Sequence, residues 1–152
     1  MRAVATLQTP FGNWGVGALG DVITTLNWNV EAEGEMTPLL AEGIKQLKAY
    51  VAGNLQNFDL PLAPKGTDFQ QKVYAAMSAI PYGETLTYGE IADALGVPAQ
   101  PIGQACGSNP IPIIIPCHRV LSKTGTGGFS GWGGVESKIA LLRHESGFSF
   151  LI

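Results

Sequence analysis

The sequence predicts a small mixed α/β unit followed by a mainly α-helical unit, and three observations carry that prediction. Short segments rich in strand formers crowd the N-terminal region. A proline-bounded stretch, Phe58 to Gly66, then interrupts the chain, and two threonine-led capping boxes open helices beyond it.

Taken in order, Ala3–Leu7, Trp14–Ala18 and Val22–Trp28 read as strands, with Gly and Asp between them as hairpin turns require. Thr37-Pro38 has the form of an N-cap followed by proline in the first helical position. Leu39, Leu40, Ile44, Leu47 and Val51 then recur at helical spacing, so a helix is expected to pack on the small sheet. Residues 1–60 make the first expected domain. Residues 61–66 make a linker in which Pro61 and Pro64 fix the backbone, and residues 67–152 make the second domain.

The second domain opens with Thr67 and Gln70, a capping-box pair, and Phe69, Val73, Ala76, Met77 and Ile80 share one face of a helix expected over 67–80. Pro81-Tyr82-Gly83 ends it. A second capping box, Thr87 with Glu90, opens a short helix through Ile91 to Leu95. Gly96-Val97-Pro98 turns the chain into another helical stretch near Gln100 to Gly107, which is the helix-turn-helix pattern. The apolar, proline-rich run Asn109–Pro116 is expected to be buried and extended. A glycine-rich loop follows, and then a final helix with Val135, Ile139 and Leu142 inward and Arg143-His144-Glu145 near its end.

Composition narrows the function. With 152 residues, 45% of them apolar, the chain has enough material for a core, and no apolar run approaches the ~18 residues of a membrane span. No export signal is evident at the N-terminus, so a cytoplasmic protein without membrane association is expected. The two cysteines, Cys106 and Cys117, lack the spacing of a structural zinc site or a redox pair, and the reduced form is expected. No metal and no cofactor is called for. The net charge of −3 offers no overall attraction to a phosphate backbone, and between Lys72 and Arg119 there is neither Lys nor Arg.

The residues with chemical potential are Cys117 and its neighbour His118. A cysteine becomes a strong nucleophile as the thiolate, which needs a proton acceptor or a positive potential nearby. Neighbours in an extended chain point to opposite sides, so a bend at Pro116 would let the pair communicate through a water. A carboxylate would hold the imidazole in one tautomer, and Glu145 is the candidate.

The run Asn109-Pro110-Ile111-Pro112-Ile113-Ile114-Ile115-Pro116-Cys117-His118-Arg119-Val120 resembles the active-site segment of the 6-O-alkylguanine-DNA alkyltransferases. The likeness continues through Phe69-Gln70, Val73-Tyr74, Ile80–Gly83, Thr87–Ala92, Gly127–Gly131 and Lys138 to Glu145, covering roughly residues 67–147. It implies a ribonuclease-H-like N-terminal domain and a helical alkyltransferase domain with a helix-turn-helix. It also implies a single irreversible transfer of a methyl or small alkyl group from 6-O-alkylguanine in double-stranded DNA, and leaves open whether 4-O-alkylthymine is a substrate too. The protein would act as a monomer on a flipped nucleotide.

By the same resemblance, Cys117 accepts the alkyl group and His118 is the base, oriented by Glu145. Asn109 supports the active-site turn, and Tyr88 donates a proton or hydrogen bond to the departing guanine. Gln100, Arg119, Phe129, Ser130, Gly131 and Lys138 face the DNA or line the pocket. Phe129 replaces the usual tyrosine, Gln100 the usual intercalating arginine, and the loop around Trp132 is longer than usual.

Three other functions use the same residues. A hydrolase built on Cys117, His144 and Asn109 would turn over repeatedly, whereas an alkyl acceptor gives one equivalent. A lesion sensor with weak or no transfer is a second alternative; sensors of that kind lack the acceptor cysteine, which this chain keeps. A helix-turn-helix transcription regulator sits poorly with the acidity of the chain and the missing basic residues.

Overall fold

A computed structural model of the chain describes residues 2–125, 127 and 134–146, which fall into two compact units, Met1–Lys65 and Gly66–Ile152. In the first unit, β1 (Arg2–Thr9), β2 (Gly12–Leu19) and β3 (Val22–Trp28) form an antiparallel meander in the order β1-β2-β3. The register pairs Val4 with Gly17 and Trp14 with Trp28, and it shifts at Gly17/Ala18.

Helix α1 (Pro38–Val51) covers one face of this sheet. Thr37 caps it by accepting from the Leu40 amide at 3.2 Å, with proline in the first turn as expected. Gly43 sets the approach: a Cβ there would stand 3.5 Å from Ile23 Cδ1 and 3.8 Å from Val16 Cγ1, so the helix meets the strands at contact distance. Val4 exchanges backbone bonds with Glu33, and a methyl of Val30 lies over Gly15. The strands are thus covered beyond the helical face too, and Ala3, Val4 and Ala5 are all buried instead of alternating.

The second unit is built around helices. α2 (Asp68–Ser78) starts at the Thr67/Gln70 capping box, with both reciprocal bonds formed, and α3 (Tyr88–Leu95) starts at the Thr87/Glu90 box in the same way. Gly96 closes α3 in the left-handed conformation, φ 68°, and the Val97 amide reaches back to the Ala92 carbonyl. The chain then turns into α4 (Ala99–Gly107). Pro101 falls in the first turn of α4, where a missing N–H costs nothing. Ile91, Ala92, Ile102 and Ala105 close the space between α3 and α4, and Cys106 meets Met77 of α2 with their sulfurs 3.5 Å apart.

Two residues of β4 (Leu86–Thr87) pair in parallel with two of β5 (Val120–Leu121), Leu86 opposite Val120. This short ladder positions the site. It fixes the start of α3, where Tyr88 sits, beside the end of the Cys117-His118-Arg119 segment that leads into β5. The last helix, α5 (Gly134–Ser146), packs against that segment.

α5 departs in part from its expected inward face: Leu142 is buried as expected, but the face is rotated. Val135 and Ile139 are half-buried, whereas the buried stripe is Lys138, Leu141, Leu142 and Glu145, at spacings of three and four. Two charged residues, Lys138 and Glu145, thus sit on the buried face where an apolar pattern was sought.

Candidate active site

The segment leading to Cys117 is buried apart from half-buried Pro110, but it is not extended. Ile113 adopts φ 76°, and the Ile115 amide returns to the Ile111 carbonyl at 2.9 Å, so the chain folds back on itself. A β-branched residue in that region is a genuine outlier, with a cost of about 1–3 kcal/mol. Asn109 holds the turn closed: its Nδ2 donates to the Ile115 carbonyl at 2.8 Å, and its Oδ1 accepts from the Ile111 amide at 3.0 Å. The extended expectation overlooked this, because the prolines exclude a helix but not a turn pinned by a side chain.

The bend at Pro116 is present. Pro116 has φ −81° and ψ 67°, and the Cys117 amide donates to the Ile115 carbonyl at 2.8 Å, the form of an inverse γ-turn. Cys117–Arg119 then make one 3-10 turn, so Cys117 and His118 do not alternate as they would on a strand.

All three side chains of that turn are buried. His118 Nε2 lies 2.6 Å from Glu145 Oε2, so Glu145 accepts the Nε2 proton. The Nδ1 atom, buried and without a hydrogen-bond partner among the described residues, is left as the acceptor. Burial depresses the His118 pKa, against the opposing pull of Glu145, and keeps the imidazole neutral. Burial likewise raises the Cys117 pKa, only partly countered by Asn109 and the positive charge of Lys138. The resting pair is therefore a neutral thiol and a neutral base. The thiolate assumed from sequence is absent at rest and forms only when a proton moves.

Tyr88 and Lys138 complete the surroundings. Lys138 Nζ lies 5.7 Å from the centre of the Tyr88 ring, and desolvation pulls the Lys138 pKa down to about 8 while the nearby thiols act to raise it. Burial raises the Tyr88 pKa, so its phenol stays protonated and able to donate. Gly127 crosses this ring with φ +70°, and a Cβ there would stand 2.9 Å from the Tyr88 hydroxyl.

Arg119 is a correction. Expected at the DNA, it is instead turned inward, 5% exposed, with its guanidinium on Glu145 and the Ile80 carbonyl. A charge at that depth is stable only when paired, and Glu145 supplies the pair. Gln100 is exposed on the first turn of α4, and the other exposed positions of that helix, Ala99, Gln104 and Gly107, carry no charge either. Phe129, Ser130, Gly131 and Trp132 lie outside the described residues.

The hydrolase set is not assembled, because the Asn109 amide is committed to its own turn and orients no histidine. From sequence, Tyr82 is part of a helix stop and of the resembling segment Ile80–Gly83, with no role assigned. Its ring in fact lies under the Arg119 guanidinium, 5.7 Å from Cζ to the centroid. No periodic signal marks such a contact, since Tyr82 belongs to a turn.

Comparison with known proteins matches residues 68–147 to the 6-O-methylguanine DNA methyltransferase DNA binding domain and residues 3–64 to the ribonuclease-like domain of the same proteins. The chain belongs to the 6-O-methylguanine DNA methyltransferase family. Methylated-DNA–protein-cysteine methyltransferases similar to it include one from Mycobacterium bovis, 43% identical over 150 residues (92% of this chain, 90% of that protein). The constitutive one of Bacillus subtilis is 40% identical over 152 residues (91% of each).

Among solved structures, the Mycobacterium tuberculosis O6-methylguanine methyltransferase superposes with a TM-score of 0.83 at 40% identity, covering 98% of this chain and 95% of that one. A Mycobacterium tuberculosis OGT in complex with DNA gives 0.83 at 43% identity, over 93% and 91%. The sheet-and-helix unit followed by a helical unit is thus the two-domain methyltransferase fold.

Proposed function

We propose that this chain repairs alkylated DNA by direct reversal, moving a methyl or small alkyl group from the 6-oxygen of guanine to Cys117 Sγ once per molecule. The observation that carries the proposal is the buried relay behind Cys117: His118 with Nε2 on Glu145 and Nδ1 held as an acceptor. Family membership and the likeness to an OGT in complex with DNA support DNA as the partner.

In the reaction, the Cys117 proton passes to His118 Nδ1, directly or through one water, and Glu145 stabilises the imidazolium that results. The thiolate attacks the alkyl carbon in line. A carbon–sulfur bond forms, the bond from carbon to the guanine oxygen breaks, and its electron pair stays with guanine. Tyr88, held neutral, donates a hydrogen bond or proton to the departing base and so improves the leaving group. The product is a thioether, and no group in the site reverses it.

This chemistry uses residues of one unit of one chain, consistent with a monomer that takes the nucleotide out of the stack. Cys106 and Cys117 are both free, as a compartment that holds DNA and keeps thiols reduced requires. Among the described residues, no helix is long and apolar enough to cross a membrane.

The test is intact-mass measurement after mixing with a duplex carrying 6-O-methylguanine. One gain of ~14 Da on Cys117, with none beyond it at excess substrate, is the expected result, since a methyl replaces the thiol hydrogen. Cys117→Ser shows no gain while still binding the duplex. An unchanged mass in the wild-type chain, or the same gain in Cys117→Ser, rejects the proposal.

A further inference from the structure

The whole guanidinium of Arg119 is engaged inside the protein. Nε donates to Glu145 Oε1 at 2.7 Å, Nη2 to Glu145 Oε2 at 3.1 Å, and Nη1 to the Ile80 carbonyl at 2.7 Å. One face of the group lies over Tyr82, whose hydroxyl donates to the His144 carbonyl at 3.5 Å. Glu145 Oε2 is shared, accepting from Arg119 Nη2 and from His118 Nε2 at once. A fork on both oxygens fixes the plane of a carboxylate, which a single point charge does not do. That plane in turn fixes where the imidazole is held.

Four groups bear on this centre. His118 and Arg119 reach Glu145 from the turn, Tyr82 faces it from the connector after α2, and Lys138, on α5 itself, acts on His118 as a like charge. Arg119 is also a like charge to a protonated His118 and opposes its formation. Any benefit to the base therefore comes indirectly, through the carboxylate between them.

We propose that Arg119 is a positioning residue for the transfer step: it holds Glu145 ionised and oriented, and through Glu145 it sets the tautomer and direction of His118. Ile80 and Tyr82 anchor Arg119 from the connector between α2 and α3. The assignment rests on the function proposed above and deepens it.

The experiment follows single-turnover methyl transfer by intact mass from about pH 6 to 9, in wild type, Arg119→Lys, Arg119→Met, Glu145→Gln and the double variant Arg119→Met/Glu145→Gln. Arg119→Met is expected to slow transfer roughly 10- to 100-fold, less than the ~100-fold or more of losing the general base outright, because Glu145 and His118 both remain. The loss is greatest at the acid end, where an unheld buried carboxylate takes up a proton. Arg119→Lys keeps the charge, recovers part of the rate and keeps the wild-type shape of the profile. The double variant is no slower than Glu145→Gln alone, because Arg119 has nothing left to act through.

The assignment is overturned by an unchanged rate in Arg119→Met, by a loss that is one constant factor at every pH, or by losses that multiply in the double variant. If Arg119→Met does not fold, Arg119→Lys and the double variant decide, since neither leaves a buried charge unpaired. A wild-type chain that gains no methyl rejects the proposed function itself, and the variants are then not needed.

Discussion

His118 Nε2 and Glu145 Oε2 stand 2.6 Å apart, 27 residues distant in sequence and closed to solvent on both sides. The pair joins a turn, which presents the nucleophile, to a helix, which presents the carboxylate. Because burial favours the neutral forms of both the Cys117 thiol and the His118 imidazole, the site is quiet at rest. A buried neutral thiol is protected from chance oxidation and alkylation, a useful property in a group that reacts once. Proton transfer and alkyl transfer are thereby tied to the arrival of the substrate.

Glu145→Gln is the direct test of that pairing. The amide keeps the shape but removes the charge, leaving Arg119 buried without its counter-ion. Breaking such a pair costs on the order of 3–5 kcal/mol. Urea unfolding should register that loss, and transfer at neutral pH should slow by ~100-fold or more, the low end of a general-base contribution. A variant as stable and as fast as wild type would remove Glu145 from the relay.

Much of this was legible from residues alone, for identifiable reasons. The capping boxes at Thr67 and Thr87 are local side-chain to backbone bonds, so four residues of sequence suffice to read them, and both form. The link from His118 to Glu145 was a chemical expectation, a carboxylate to orient the imidazole, that the resemblance repeated; no local spacing encodes it. The inward turn of Arg119 had no local signal: its partners are Ile80 and Glu145, 39 and 26 residues away, and an arginine beside a nucleophile in a protein expected to bind DNA reads naturally as a DNA contact. Apolar periodicity likewise chose Val135, Ile139 and Leu142 as the inward face of α5; Leu142 is buried, but the stripe also carries Lys138 and Glu145, which apolar periodicity does not mark.

Tyr88→Phe removes one hydroxyl and keeps the ring beside Lys138 and Gly127. The fold should hold, and the transfer rate should fall by about 10-fold, as when one hydrogen bond to a charged transition state is lost. Single-turnover rates with 6-O-methylguanine duplexes decide it. An unchanged rate would take Tyr88 out of the mechanism.

Lys138 links the site to pH. Its folded pKa of about 8 lies below the ordinary 10.5, so between these values the unfolded chain binds more protons than the folded one. Stability attributable to Lys138 therefore rises with pH across that window, and below about 8 the full desolvation cost applies, on the order of 3 kcal/mol. Cys106, raised to about 12 from 9.0, works in the opposite sense above pH 9, so the wild-type curve alone is not diagnostic. Lys138→Met isolates the contribution. Its stability relative to wild type in urea should be more favourable near pH 7 than near pH 10, and a difference that does not change with pH would contradict the buried, proton-releasing lysine.

DNA binding should be nearly insensitive to salt. The exposed face of α4 offers Ala99, Gln100, Gln104 and Gly107, no basic residue lies between Lys72 and Arg119, and Arg119 is committed inside. Affinity on this face must then rest on backbone amides and uncharged side chains, which release few counterions. A protein with 6–10 phosphate contacts loses about 10³- to 10⁵-fold in affinity between 50 and 200 mM salt; fluorescence anisotropy on a duplex should here find a loss below ~10-fold. Gln100→Arg adds one charge on the exposed first turn of α4 without touching the buried relay. It should tighten binding at low salt and steepen the slope by about 1, with the transfer rate at saturating DNA unchanged or raised. A steep slope in wild type, or no change of slope in Gln100→Arg, would place the DNA on a different surface.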